Sequence, residues 1–142
     1  MSKVAELEAK LEAKRVERAA AEELQYEKDL EARIALEDEH GTIAAVKVSR
    51  FVQGQPTRAY LRTPNGPEYK RYKAQMFKSA SDKKSPVSPQ QAQEMLASAC
   101  WVYPSGKEAQ DAMLEAFPGL LTPLSMAAAA LAEGKAEDEG KE

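Results

Sequence analysis

The sequence predicts an α+β protein, mainly α, with a long N-terminal helix, a β-hairpin, a compact bundle of about four short helices and a disordered acidic tail. Three observations carry this reading. Residues 2–39 contain neither Gly nor Pro. Over residues 42–63 the apolar period shifts from helical to alternating. Beyond residue 88, Ser- or Thr-led capping signals recur ahead of apolar helical segments. The implied organisation is a charged helical arm over residues 1–40, a globular hairpin-plus-helices unit over 41–132 and a tail over 133–142.

The arm is rich in Ala, Leu, Glu, Lys and Arg, all strong helix formers. Ser2 is placed to cap its start, and Gly41 stands where a left-handed C-cap is needed. Its apolar stripe is thin: Val4, Leu7 and Leu11, then Val16, Ala20 and Leu24, then Leu30 and Ile34. A helix this long rarely persists without packing. It is therefore read as a projecting element that self-associates as a coiled coil or docks on a partner.

Residues 42–52 alternate around Val46 and Val48, Gln53 to Pro56 interrupts, and residues 57–63 resume an extended pattern. That is a hairpin with a loop of four or five residues. A two-stranded hairpin alone is marginal in water, so the Val46 and Val48 face is expected to be covered. Residues 67–79 form the next helix, with Tyr69, Tyr72, Met76 and Phe77 on one face. Ser79–Pro86 is a polar loop. Ser88, Pro89 and Gln91 open a helix to about residue 100, which Trp101–Pro104 stops. Ser105 and Glu108 repeat the capping box, and Thr122–Pro123 caps a last helix.

Charge is sorted along the chain. Residues 1–39 hold 12 acidic and 7 basic side chains, residues 40–90 hold 2 and 10, and residues 91–142 hold 9 and 3. Such blocks suit contact with other macromolecules. The basic middle, interleaved with aromatics, meets a crude nucleic-acid recipe. The overall charge of −3 and the acidic flanks argue against it; Arg50, Arg58, Arg62, Lys70 and Arg71 are better matched to acidic surface on the first helix or on a partner.

No constellation for chemistry is visible. The one histidine, His40, suits the C-terminal end of the helix dipole. The one cysteine, Cys100, excludes an internal disulfide and sits on an apolar helix face beside Trp101. The glycines lack phosphate-binding spacing. No enzyme activity, no metal and no cofactor is expected. With no apolar run near the ~18 residues of a membrane helix and no secretory leader, a soluble intracellular protein is expected.

Across residues 57–132, the order of segments carries a family resemblance. A basic extended stretch closes in Tyr60-Leu61-Arg62-Thr63-Pro64, and Glu68-Tyr69-Lys70-Arg71-Tyr72 opens a helix. A helix ending Ala99-Cys100-Trp101-Val102-Tyr103-Pro104, one ending Phe117-Pro118-Gly119-Leu120 and an alanine-rich last helix follow. In this order the chain resembles tail assembly chaperones of tailed bacteriophages. The resemblance implies a non-enzymatic protein that binds hydrophobic segments of a tape measure protein. It would act in the host cytoplasm during assembly, with retention in the virion as an alternative. The candidate partner surface is Tyr60, Tyr69, Tyr72, Met76 and Phe77, with Arg58, Arg62 and Arg71 steering an acidic partner. Tyr60 and Tyr72 are the members expected to be exposed. The rival readings are a structural or scaffolding virion protein that assembles through residues 1–39, and a nucleic-acid-binding protein.

Overall fold

The computed structural model describes residues 2–81 and 87–134. Helix α1 runs unbroken over Lys3–His40, 38 residues, roughly 57 Å at about 1.5 Å per residue. The Ser2 side chain accepts from the Ala5 N–H at its start. At its end Gly41, with φ 78°, donates its N–H to the Glu37 carbonyl, a backbone conformation that Gly adopts at no steric cost. Strands β1 (Ile43–Lys47) and β2 (Arg58–Arg62) pair antiparallel, with Ala45 opposite Tyr60. Helices α2 (Gly66–Ser81) and α3 (Pro89–Cys100) follow, then strand β3 (Trp101–Tyr103) and helices α4 (Lys107–Ala116) and α5 (Leu121–Ala132).

The sheet is three-stranded in the order β1-β2-β3. Strand β3 pairs antiparallel with β2, and the register shifts between Tyr60 and Leu61. Period-two alternation gives the sheet two faces. Ala44, Val46, Ala59 and Leu61 pack with Val48 into the main core beside Leu96, Cys100, Met113, Leu124 and Ala128. Ile43, Ala45 and Tyr60 face the other way and pack with Leu36 of α1 and with Val102 and Tyr103. The sheet is thus covered on both sides, by α3 and α5 on one and by the C-terminal half of α1 on the other. The hairpin is held by this double burial, and Val48 is buried as expected.

Five details depart from the sequence reading. Strand β1 ends at Lys47, and residues 48–57 form a longer connection in place of a four- or five-residue loop. Helix α4 is the reason: Arg50 donates to the Ala116 carbonyl at 3.2 Å and Gln55 to the Ala112 carbonyl at 3.2 Å. Trp101–Tyr103, read only as a helix stop, is the third strand. Helix α4 takes Gly106 as its N-cap, with φ 91° and no side-chain cap bond. Ser105 and Glu108 are then one position out of register for a capping box. Helix α5 begins at Leu121, so Thr122 lies inside its first turn, where its carbonyl accepts from Ser125 Oγ at 2.7 Å. Helix α2 continues to Ser81, and residues 82–86 of the expected loop lie outside the described residues. So do residues 135–142 of the expected tail, whereas Glu133 caps α5. The box at Ser88 and Gln91 forms as read, with both reciprocal bonds present.

Candidate partner-binding surface

Two polar clasps decide which of the candidate residues are available to a partner. The first is centred on Asp29, the one fully buried residue of α1. Its carboxylate accepts from the Thr57 N–H at 2.8 Å and from the Thr57 hydroxyl. It also accepts from the Tyr103 hydroxyl at 2.6 Å and from Gln25 Nε2 at 3.0 Å. Four donors on two oxygens fit an acceptor-only carboxylate, and bonds to a charged group are among the stronger ones. The Asp29 backbone carbonyl accepts a fifth bond, from the Tyr60 hydroxyl at 2.9 Å. This is what fastens the long helix to the sheet.

Tyr60, expected to be exposed, is completely buried. Its position in β2 turns the ring under α1, where it stacks on Tyr103 with centroids 5.1 Å apart. Burial first, then the neighbouring Asp29, pushes its hydroxyl up to about 12. The Tyr103 hydroxyl is raised for the same two reasons, burial first and then its bond to Asp29. Arg58 lies over the Tyr26 ring at 3.8 Å and donates to Thr57 Oγ1 at 3.0 Å. The geometry therefore places Arg58 on the chain's own first helix.

The second clasp joins β2, α2 and α3. Arg62 makes a two-pronged contact with Glu68, at 2.9 and 2.8 Å, and also donates to the Ala99 carbonyl at 2.8 Å. Glu68 in turn accepts the Asn65 N–H, while Asn65 Oδ1 accepts the Glu68 N–H. The Arg62 side chain, then the Asn65 N–H, hold the Glu68 carboxyl at about 2 against the opposing effect of burial. Arg62 is thus engaged inside the fold.

Helix α2 divides its aromatic residues. Tyr69, Tyr72 and Met76 are half-buried. Tyr72 packs on the main core, and Tyr69 donates to Glu133 at 2.9 Å. Burial raises both hydroxyls, with Glu133 adding to the effect. Phe77 does not share their face: it follows Met76 by one position and is turned to the outer side with Lys70 and Lys73, 76% exposed. Arg71 is exposed and lines a small cleft of about 80 Å³ between α2 and α3, together with Tyr72, Gln75 and Met95.

Met95 is the residue that sequence reasoning missed. Although it adjoins the core residue Leu96, it is 47% exposed. It walls both the α2–α3 cleft and a wide open groove of about 590 Å³ lined by Val87, Gln91, Glu94, Ser98 and Leu121. Its neighbour Leu96 takes the buried position, and a one-residue difference in phase is what the sequence left unread. Met126 on α5 is also exposed, at 64%.

Cys100 is buried, and burial pushes its thiol up to about 11, away from the thiolate form that reactive cysteines need. Among the described residues no group of three or more His, Cys, Asp or Glu side chains is placed to hold a metal ion. No single helix among them is long and apolar enough to cross a membrane. No protein-family model, curated protein or solved structure matches the chain.

Proposed function

We propose that this protein is a non-enzymatic protein-binding module of the kind its segment order resembles, a phage tail assembly chaperone that engages hydrophobic segments of a tape measure protein. The observation that carries the reading is Met95, half-exposed and shared by two adjoining clefts on α3. Methionine is an adaptable contact for varied apolar segments, and aromatics with methionine and arginine favour interface cores. The binding surface assigned here is Tyr72 and Met95 along the α2–α3 cleft, with Arg71 at its edge to draw an acidic client. Tyr60, Arg58 and Arg62 leave the surface and become its scaffold.

The test is co-expression of an aggregation-prone tape-measure-like client with wild type and with a Met95→Ser variant. The change is at an exposed position, so the variant is expected to stay folded by circular dichroism while the soluble client falls several-fold. Full solubilisation by the folded variant would remove this surface from the reading. No solubilisation by wild type would remove the chaperone reading itself. A structural or scaffolding role through the long helix is the second reading. It is favoured by Val4, Leu7 and Leu11, which remain 63%, 51% and 48% exposed on the half of α1 beyond the sheet.

A further inference from the structure

Helix α1 carries its charges on two different sides. The residues that lose exposure against the sheet include Glu22, Gln25, Asp29, Arg33 and Leu36, at the three-and-four spacing of a single helix face. Continued toward the N-terminus at that spacing, the face reaches Arg18, Lys14 with Arg15, Leu11, Leu7 and Val4, all exposed. On the opposite side lies a second exposed row, Val16, Ala20, Leu24, Leu30 and Ile34, with Glu23, Glu27 and Glu31 among them. At roughly 100° per residue, all 7 basic residues of α1 fall within one arc of roughly 140° that includes the sheet-facing side. Nine of the 12 acidic residues fall outside it.

The two rows complement each other in three respects. One is apolar and basic and lies on the projecting half. The other is apolar and acidic and runs from the end of the projecting half along the back of the docked half. Val4 to Arg18 spans roughly 21 Å and Val16 to Ile34 roughly 27 Å at about 1.5 Å per residue, so the second row is long enough to receive the first.

We infer that the projecting half of α1 docks on the outer face of α1 in a second copy of this chain. With the two helices antiparallel, Val4 and Leu7 meet Ile34 and Leu30, and Lys14 and Arg15 meet Glu23 and Glu27. Because the two rows face opposite sides of the helix, two copies cannot satisfy both rows in each other. The contact is heterologous and propagates head to tail, closing into a ring or extending as a filament. This names the partner for the second reading and is independent of client binding, which uses α2 and α3.

Sedimentation of the full chain over a range of concentration and salt is the experiment. Wild type is expected to show a mass above the monomer that rises with concentration and falls as salt screens the charges. Two charge-reversed chains, Lys14→Glu, Arg15→Glu, Arg18→Glu and Glu23→Lys, Glu27→Lys, Glu31→Lys, are each expected to sediment as monomers. Mixed in equal amounts they are expected to assemble again, because each arm then meets a back of opposite charge. Circular dichroism of both, with native helix content expected, excludes unfolding as the cause of the monomers. A wild type that stays monomeric at every concentration, a reversed chain that assembles alone as wild type does, or a mixture that stays monomeric would each overturn the inference.

Discussion

Asp29 is one of 12 acidic residues in the first 39, and nothing in its identity marks it. What separates it from the others is position: it lies seven residues before Leu36 and seven after Glu22, on the face that the sheet covers. Replacing it with Ala leaves the buried Thr57 N–H and hydroxyl without their acceptor and deprives the Tyr103 hydroxyl of its own. Unsatisfied buried donors cost about 1–3 kcal/mol each in mutational series. The Asp29→Ala chain is therefore expected to lose about 3 kcal/mol or more, a fall in melting temperature on the order of 10 °C. Asp38→Ala, at an exposed position on the same helix, is the control and should stay within about 0.5 kcal/mol. Equal melting temperatures for the two variants would show that the clasp is not what holds α1. Tyr60 illustrates the same limit of legibility. Its ring and hydroxyl suit an interface and a core alike, and only the register of β2 against β1 and β3 turns it beneath α1.

At the scale of elements, the readable signals were local and the missed ones were not. The uninterrupted composition of α1 and the Ser88–Gln91 box specify their helices from neighbouring residues alone, and both form as read. Strand β3 is three residues long, too short to show an alternation, and it exists because β2 offers an edge 40 residues away in sequence. The start of α2 gives a pH test. Glu68 is held at about 2 in the folded chain against an ordinary 4.5, chiefly by Arg62. A depressed carboxyl stabilises the fold above its unfolded value, and that contribution disappears as pH falls from about 4.5 toward 2. Thermal melts of wild type and Glu68→Gln should differ most above pH 4.5 and converge near pH 2. A difference that is constant across this range would assign the role of Glu68 to shape alone.

For the whole molecule, the sequence conveyed the class and the order of the elements other than β3, while the layering is a tertiary fact. Arm and globular unit were read as separate regions, yet half of the arm is one layer of the fold. The other half, residues 3–20, lies wholly outside it apart from the partly covered Ala5. Removing residues 2–20 is therefore expected to leave the melting temperature of the body within a few degrees of wild type. Removing residues 2–36 takes away Asp29 and Leu36 and should unfold it. If the shorter truncation melts far below wild type, the projecting half contributes to the fold in a way these contacts do not show. Of the residues named from the sequence, Arg71 and Tyr72 line the α2–α3 cleft, while Tyr60 is buried beneath α1. Phe77, grouped from the sequence with Tyr69, Tyr72 and Met76, lies on another side of α2, and Met95 is exposed beside the buried Leu96, because a residue one step from a core position is as apolar as the core itself.

The Asp29 clasp also has a consequence for how the chain is made. Its donors on the sheet lie 28 and 74 positions downstream of the acceptor, so the clasp cannot be completed until Tyr103 has been synthesised. At about 5–20 residues per second, that separation corresponds to roughly 4–15 s of elongation. Until the β1–β2 hairpin has been made the sheet-facing side of α1 has nothing to cover it, and until Tyr103 follows its clasp stays incomplete. An N-terminal helix whose charged residues outnumber its large apolar ones, with a net charge of −5 over residues 1–39, is one that can wait in water for its sheet.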